Sequence, residues 1–405
     1  MKKYLGVLLA FLLMLLLCAC GKTEANQEGK LPISAMMQPI FRGDTVLNET
    51  VMFVDYEDAK SLLYTPSKIV KVTSYGGDIV YEEGKDYELR DGKLVLLEGS
   101  SIPCITGNKY YNMPGSIITN TEGKHLYWGE ADAMTKYQVC VDYIHSDSWE
   151  GYQQVCYAHR YKAFLEKLEK GQDVTVYFYG DSITTGSNSS FKVGVAPHQY
   201  PYYILFLQTV AEIYDYTVDF VSTDSGARMP EADLVCGDRG VISCMNTSMG
   251  GWSVGQGIDY FETHVAPNIK DGYGCDLFVL AFGMNDKNMP GDLQAESQEM
   301  IMDMVLDVAP QTAFMTVSTM VPHPDTSWDD GQERQESSLM KLADKMNEKG
   351  VPCAVAGVSS MSLSLLEQKD FMDISGNNVN HPNDFLSRVY AQTMIQTLIG
   401  YENIN

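Results

Sequence analysis

DVTVYFYGDSIT, residues 173–184, is the stretch on which the reading of the fold turns. In its first part Val174, Val176 and Phe178 alternate with Thr175, Tyr177 and Tyr179, so neither face is polar, as expected of a strand buried on both sides. The second part breaks the strand at Gly180 and leaves Ser182 where the chain departs from a sheet. Working downstream, Val241–Asn246, Leu277–Phe282, Ala313–Thr319 and Cys353–Ala356 are further short apolar strands. Helix-length segments separate them, among them Tyr202–Tyr214, Leu293–Val308 and Glu336–Lys349. Strands alternating with helices predict an α/β fold, a parallel sheet with helices on both faces. In such sheets the site lies beyond the carboxyl ends of the strands.

Upstream of residue 172 the text changes character. Residues 31–165 read as β structure: Val70, Val72 and Tyr75 alternate with polar residues, and Ile79–Tyr81 and Tyr137–Ile144 are further strand candidates. Asp91-Gly92, flanked by Tyr87–Arg90 and Lys93–Leu96, is a strong hairpin signal. Short strands punctuated by turns predict a smaller β-sandwich of the jelly-roll kind over 31–165, followed by the α/β domain over 170–405. The first convincing helical period is Tyr161–Lys170.

The start of the chain reads as an address. Lys2 and Lys3 precede an apolar run from Leu5 to Ala19, too short for a spanning helix, which needs about 20 residues, and ending in small residues. The ending resembles a bacterial lipobox, which makes 1–19 a signal peptide, Cys20 an acylated first mature residue, and 20–30 a polar tether. A cleaved secreted protein and an uncleaved N-terminal anchor are the alternatives. The expected location is the cell surface, with the membrane touched only through the lipid. The net charge of −24 argues against nucleic acid or an anionic membrane surface as partner. Seven cysteines beyond Cys18 and Cys20 are scattered, with no CxxC or Cys/His spacing suited to zinc, so neither metal nor cofactor is expected; one or two disulfides stay open.

A serine on a tight strand exit presents its hydroxyl with backbone N–H groups nearby, as a nucleophile with an oxyanion hole requires. Gly-Asp-Ser alone is ordinary turn chemistry. Three later segments strengthen it: NTSMGG (246–251) and GMND (283–286), each following a strand, and NHPND (380–384), which leaves His381 on the loop before the helical pattern Phe385–Ile399. Together with GDSIT (180–184) these four ordered blocks resemble those of the GDSL, or SGNH, hydrolases over roughly 172–400. The resemblance implies a flavodoxin-like three-layer αβα domain, Ser182 as nucleophile and His381 as general base. It further implies oxyanion donors from the Ser182 and Gly251 backbone N–H groups and the Asn285 side chain. One position departs from the family: the usual Asp three residues before the histidine is Asn378, which contributes no negative charge. The orienter of His381 is therefore left open between Asn378, Asp373 and a backbone carbonyl.

Gly251–Gly255 also matches GxSxG, the nucleophile elbow of α/β-hydrolases, which offers Ser253 as a rival. Thr247–Gly250 separates it from the preceding strand, so Ser182 has the better context. Trp252 is either a sugar-stacking floor or core. The function expected is a serine esterase acting on acyl, especially O-acetyl, esters of carbohydrate. The alternatives are a lipase or general short-acyl esterase, and a surface carbohydrate-binding protein on the same fold with impaired chemistry.

Overall fold

The computed structural model describes residues 36–329 and 331–403. The expected signal 1–19, Cys20 and the tether 20–30 lie outside the described residues. Seven strands come first: β1 (Thr45–Met52), β2 (Ala59–Lys60), β3 (Pro66–Ser74), β4 (Val80–Tyr81), β5 (Tyr87–Arg90), β6 (Lys93–Leu96) and β7 (Gln138–His145). They form two antiparallel sheets, ordered β1-β7-β3-β4 and β2-β6-β5. The hairpin expected at Asp91-Gly92 joins β5 to β6, with both turn residues at positive φ (51° and 76°). This is the backbone of a type I′ turn, whose twist suits the strands it joins.

Six parallel strands follow: β8 (Val174–Gly180), β9 (Tyr216–Phe220), β10 (Gly240–Asn246), β11 (Leu277–Ala281), β12 (Ala313–Val317) and β13 (Cys353–Ala356). Their order is β13-β12-β11-β8-β10-β9. Without the edge strand β9, the remaining five have the 2-1-3-4-5 order of a flavodoxin-like sheet. β9 was not foreseen: it is short, carries Thr217 and Asp219 among its apolar residues, and pairs along its length only with β10, its other side meeting a single bridge between Val218 and Leu234.

The longer helices are α1 (Tyr202–Tyr214), α2 (Val254–His264), α3 (Gly291–Val308), α4 (Gln335–Glu348), α5 (Val358–Leu366) and α6 (Asp384–Leu398). The alternation read in β8 sorts them into two layers. Val174, Val176 and Phe178 face a cluster holding residues of α1, α5 and α6, while Tyr177 and Tyr179 face one holding Phe261 of α2, Ile301 of α3 and Leu339 of α4. The domain is thus three layers, helix–sheet–helix.

The first cluster does not stop at the helices. It continues through Val51, Leu63, Val72 and Tyr143 of the N-terminal sheet region. Helix α6 is consequently buried on nearly every face, not only on the apolar stripe read from its sequence. Two of its polar side chains reach the other end of the chain: Gln392 accepts from the Ile40 N–H at 3.0 Å, and Arg388 donates to the carbonyls of Met36 and Asn48. A buried polar group left without such a partner costs roughly 1–3 kcal/mol. A fully buried ion pair, Glu49 with Lys369 at 2.5 Å, ties β1 to the segment before α6. Glu49 also accepts from the Leu63 N–H and the Tyr143 hydroxyl, so its charge is well solvated by protein.

Candidate active site

Ser182 stands just past β8, whose neighbours β10 and β11 are reached by chain running in opposite directions, the point at which open α/β sheets form a crevice. The exit is tight enough to demand glycine: a Cβ on Gly180 would lie 2.5 Å from both the Ala281 carbonyl oxygen and the Thr184 hydroxyl. Beyond it the loop curls on itself. The Asp181 carboxylate accepts from the Ile183 N–H at 2.9 Å, and the Ser182 carbonyl accepts from the Ser187 N–H and the Thr185 hydroxyl. Burial pushes the Asp181 carboxyl up to about 7, against the lowering effect of that Ile183 N–H and with a further push from Asp286. Ser182 itself stays 8% exposed.

His381 comes from the loop ahead of α6. That loop is pinned from inside: the Asn377 side-chain oxygen accepts from the N–H groups of Val379, Asn380 and His381, each at 3.0 Å, and the Gly376 N–H donates to the His381 carbonyl. The result places His381 Nε2 at 2.9 Å from Ser182 Oγ. On the other side of the ring, Nδ1 lies 2.6 Å from Asn188 Oδ1. Asn188 Nδ2 faces two carbonyls, Gly376 at 3.2 Å and Ala131 at 3.4 Å, which fixes which end of the amide is oxygen. Asn377 Nδ2 also stands 3.0 Å from Nδ1, but the shorter contact is the one to the Asn188 oxygen, and that acceptor places the proton on Nδ1 and leaves the Nε2 lone pair for the serine hydroxyl. Ser182 and Asn188 thus belong to one loop, and Asn188 adopts φ +63°, a conformation that asparagine tolerates better than most residues.

None of the three orienters expected for His381 is the one found. Asn378 is fully buried but turns away: its Nδ2 donates to the Tyr127 carbonyl at 2.7 Å and the Tyr110 hydroxyl at 3.1 Å. Asp373, pushed up to about 6 by burial, accepts from the N–H groups of Met52 and Asp370. No backbone carbonyl takes the place at Nδ1, because the Asn188 side chain occupies it. A carboxylate also stands nearby, from an unexpected part of the chain: Glu130 Oε2 is 3.5 Å from Nδ1, and Glu130 Oε1 accepts from Asn377 Nδ2 at 3.1 Å. Sequence reading missed both residues. Asn188 sits in a run of Gly and Ser that reads as turn, and Glu130 lies far upstream in the β region. Only folding brings them to the ring.

Gly251 has φ +80°, and a Cβ there would meet nothing within 4 Å, whereas one on Gly250 would lie 3.9 Å from Ser182 Cβ. Gly250 is thus the glycine of NTSMGG whose side-chain direction faces the serine. Asn285 Nδ2 donates to the Trp252 carbonyl at 3.0 Å, joining the GMND segment to the residue after those glycines. Ser253, the rival nucleophile, caps α2: its hydroxyl accepts from the Gln256 N–H while the Gln256 side chain accepts from the Ser253 N–H, a complete capping box. Among the described residues no group of three or more His, Cys, Asp or Glu side chains is arranged to hold a metal ion, and Cys104, Cys140, Cys156, Cys244, Cys275 and Cys353 are free thiols. Chemically, the arrangement is a hydroxyl hydrogen-bonded to an imidazole of fixed tautomer, the geometry in which the ring can take the hydroxyl proton as the oxygen attacks an electrophile.

No family model matches the chain, and no curated protein matches it in sequence. Among solved structures the chain is similar to a two-domain esterase active on acetylated mannans, co-crystallised with mannopentaose, at 14% identity and a TM-score of 0.40 over 60% of this chain. It is similar to Axe2, an acetylxylan esterase from Geobacillus stearothermophilus, at 13% identity and a TM-score of 0.40 over 58% of this chain and 99% of that one. It is also similar to the acetyl xylan esterase AlAXEase, at 17% identity and a TM-score of 0.38 over 55% of this chain and 98% of that one. The chain spans 54% of the length of the mannan-active esterase.

Proposed function

We propose that this chain is a serine ester hydrolase of the GDSL/SGNH kind that removes acyl groups, O-acetyl above all, from carbohydrate. The observation that carries the reading is the 2.9 Å approach of Ser182 Oγ to His381 Nε2, with the opposite ring nitrogen held by Asn188. In the reaction proposed, His381 takes the Ser182 proton as Oγ bonds to the ester carbonyl carbon. The oxyanion is held by the Ser182 and Gly251 N–H groups and by Asn285. His381 then gives its proton to the leaving alcohol oxygen as the C–O bond breaks. Water repeats the sequence on the acyl-serine, releasing the acid and the free hydroxyl. Losing one oxyanion donor is worth on the order of 100-fold in turnover.

The carbohydrate half of the reading is supported by Trp252, which follows the NTSMGG glycines and stacks on the exposed ring of Tyr260, centroids 4.9 Å apart. An apolar ring surface two residues past Gly250, in the segment next to the nucleophile, suits the flat C–H face of a sugar. The reading includes export and acylation at Cys20, checked by metabolic labelling with a fatty acid and loss of label in Cys20→Ser.

Hydrolysis of p-nitrophenyl acetate by wild type, Ser182→Ala and Ser253→Ala tests the chemistry, and acetate release from acetylated xylan and mannan tests the substrate. Turnover lost in Ser182→Ala and kept in Ser253→Ala is the expected result. Loss only in Ser253→Ala overturns the assignment of the nucleophile, and no turnover by wild type on any ester overturns the enzyme. A preference for long acyl chains over acetyl overturns the carbohydrate reading in favour of a lipase.

A further inference from the structure

A charge is missing from the site as proposed so far. When His381 accepts the Ser182 proton it becomes an imidazolium in a nearly buried pocket, and Asn188 offers it a hydrogen-bond acceptor without negative charge. The position where the resemblance leads one to expect an acid holds Asn378, and that amide is committed elsewhere. Its two donated bonds go to Tyr127 and Tyr110, in the segment between β6 and β7. The same segment is held at two further points: the Gly129 N–H donates to the Asn377 carbonyl at 3.2 Å, and Asn188 Nδ2 donates to the Ala131 carbonyl. Between these anchors stands Glu130.

We propose that Glu130 is the acid of this site, a positioning residue delivered from the N-terminal β region, which holds the His381 imidazolium by its carboxylate at Nδ1 while Asn188 fixes the ring tautomer. The proposal rests on the Ser182–His381 reading above and adds a division of labour to it. Asn188 orients, Glu130 supplies charge, and Asn378, in place of an acid, fastens the segment that carries Glu130. Burial pushes the Glu130 carboxyl up, but its bonds with His381, Asn377 and Asn188 and the attraction of the ring outweigh that and hold it below the usual glutamate range, so it is ionised at neutral pH. Its side chain is 56% exposed, so solvent screens part of its effect.

The other ionisable groups in the segments that build the site are engaged with other partners. Asp181 accepts from Ile183, Asp384 at the start of α6 accepts from the Ser190 N–H at 2.9 Å, and Asp286 accepts from the Val254 N–H. Lys192 donates to the Thr185 hydroxyl and the Gly226 carbonyl. Among the described residues, Glu130 is the carboxylate at ion-pair distance from His381.

The test is an NMR titration of the His381 ring in the full chain, wild type against Glu130→Gln and Glu130→Asp, with the signal assigned by its loss in His381→Asn, alongside kcat and KM for p-nitrophenyl acetate across pH. Glu130→Gln keeps the shape and the bond to Asn377 while removing the charge. The His381 pKa is expected to fall by about 0.5–1 unit. The acidic limb of kcat/KM should move down by the same amount, and kcat should fall on the order of 10-fold with KM little changed. Glu130→Asp should show part of the shift. A residue serving only as packing would lower Tm and leave the ring pKa alone. A His381 pKa unchanged within about 0.2 unit in a folded Glu130→Gln variant overturns the proposal, as does a fall in KM-linked binding with an unmoved pH profile. The titration needs no substrate, so wild type inactive on every ester would sink the esterase reading while the ring pKa still decides whether Glu130 and His381 are coupled.

Discussion

The substitution Asn378→Asp is the sharpest probe of how the histidine loop is built, because it restores the residue type found at that position in the hydrolases the sequence resembles. If the side chain at this position faced His381, the added charge would help. In the structure it faces Tyr127 and Tyr110, so an ionised carboxylate introduced here could accept from the Tyr110 hydroxyl but would lose the bond to the Tyr127 carbonyl and stand against it in a site with no exposure. The lost bond leaves the buried Tyr127 carbonyl unsatisfied at about 1–3 kcal/mol, and burying the carboxylate against it adds a few more, giving roughly 3–5 kcal/mol in all. With an unfolding entropy of about 2.1 cal/mol/K per residue, a chain of this length loses about 1.2 °C per kcal/mol, so Tm should drop by roughly 4–6 °C at pH 8. At pH 5 part of the introduced carboxylate is protonated and can donate one of the two bonds again. Its folded pKa is raised above the unfolded value of about 3.9, so the stability it retains is present at low pH and lost as pH rises. The Tm gap to wild type should therefore narrow on acidification. Thermal melts at both pH values and kcat for p-nitrophenyl acetate are the assays, with activity expected to fall because the segment carrying Glu130 loosens. A variant as stable as wild type and more active would refute the account of the loop.

Two further outcomes follow from the same geometry. Asn188→Ala removes the acceptor that fixes the His381 tautomer, and kcat should fall by on the order of 100-fold or more with KM nearly constant, measured by steady-state kinetics; a change confined to KM would mean that the ring is held without it. Asp181→Asn keeps the acceptor for the Ile183 N–H but cannot ionise. Because the Asp181 folded pKa is raised to about 7, wild type should lose stability as pH rises through that value, and the variant should lose roughly 2–3 kcal/mol less between pH 5 and 8 in denaturant titrations.

Much of the α/β framework was legible because periodicity is local. β8 announces itself by having no polar face, and the helices read at Tyr202–Tyr214, Leu293–Val308 and Glu336–Lys349 end within two residues of α1, α3 and α4, whereas α2 and α5 were not read. β9 escaped because a strand of five residues interrupted by Thr217 and Asp219 lacks the apolar run by which the central strands are recognised. The nucleophile and the histidine could be picked out by the blocks they stand in. Asn188 and Glu130 could not, since an amide in a turn and an acid on a bend carry no spacing that distinguishes them from surface residues. Asn378 was legible as a substitution but not as a fastener, because its partners Tyr110 and Tyr127 are separated from it by more than two hundred residues.

The bonds from Arg388 and Gln392 to Met36, Ile40 and Asn48 span about 350 positions of chain. A ribosome releases the N-terminal strands first, with Val51 and Val72 apolar and their eventual cover not yet made. Until the closing helix is translated, that surface has nothing of its own to rest on. Such a topology folds slowly and leaves sticky intermediates. A version lacking that closing helix should come off the ribosome as aggregate, and the early sheet, expressed alone, should need a chaperone to stay in solution.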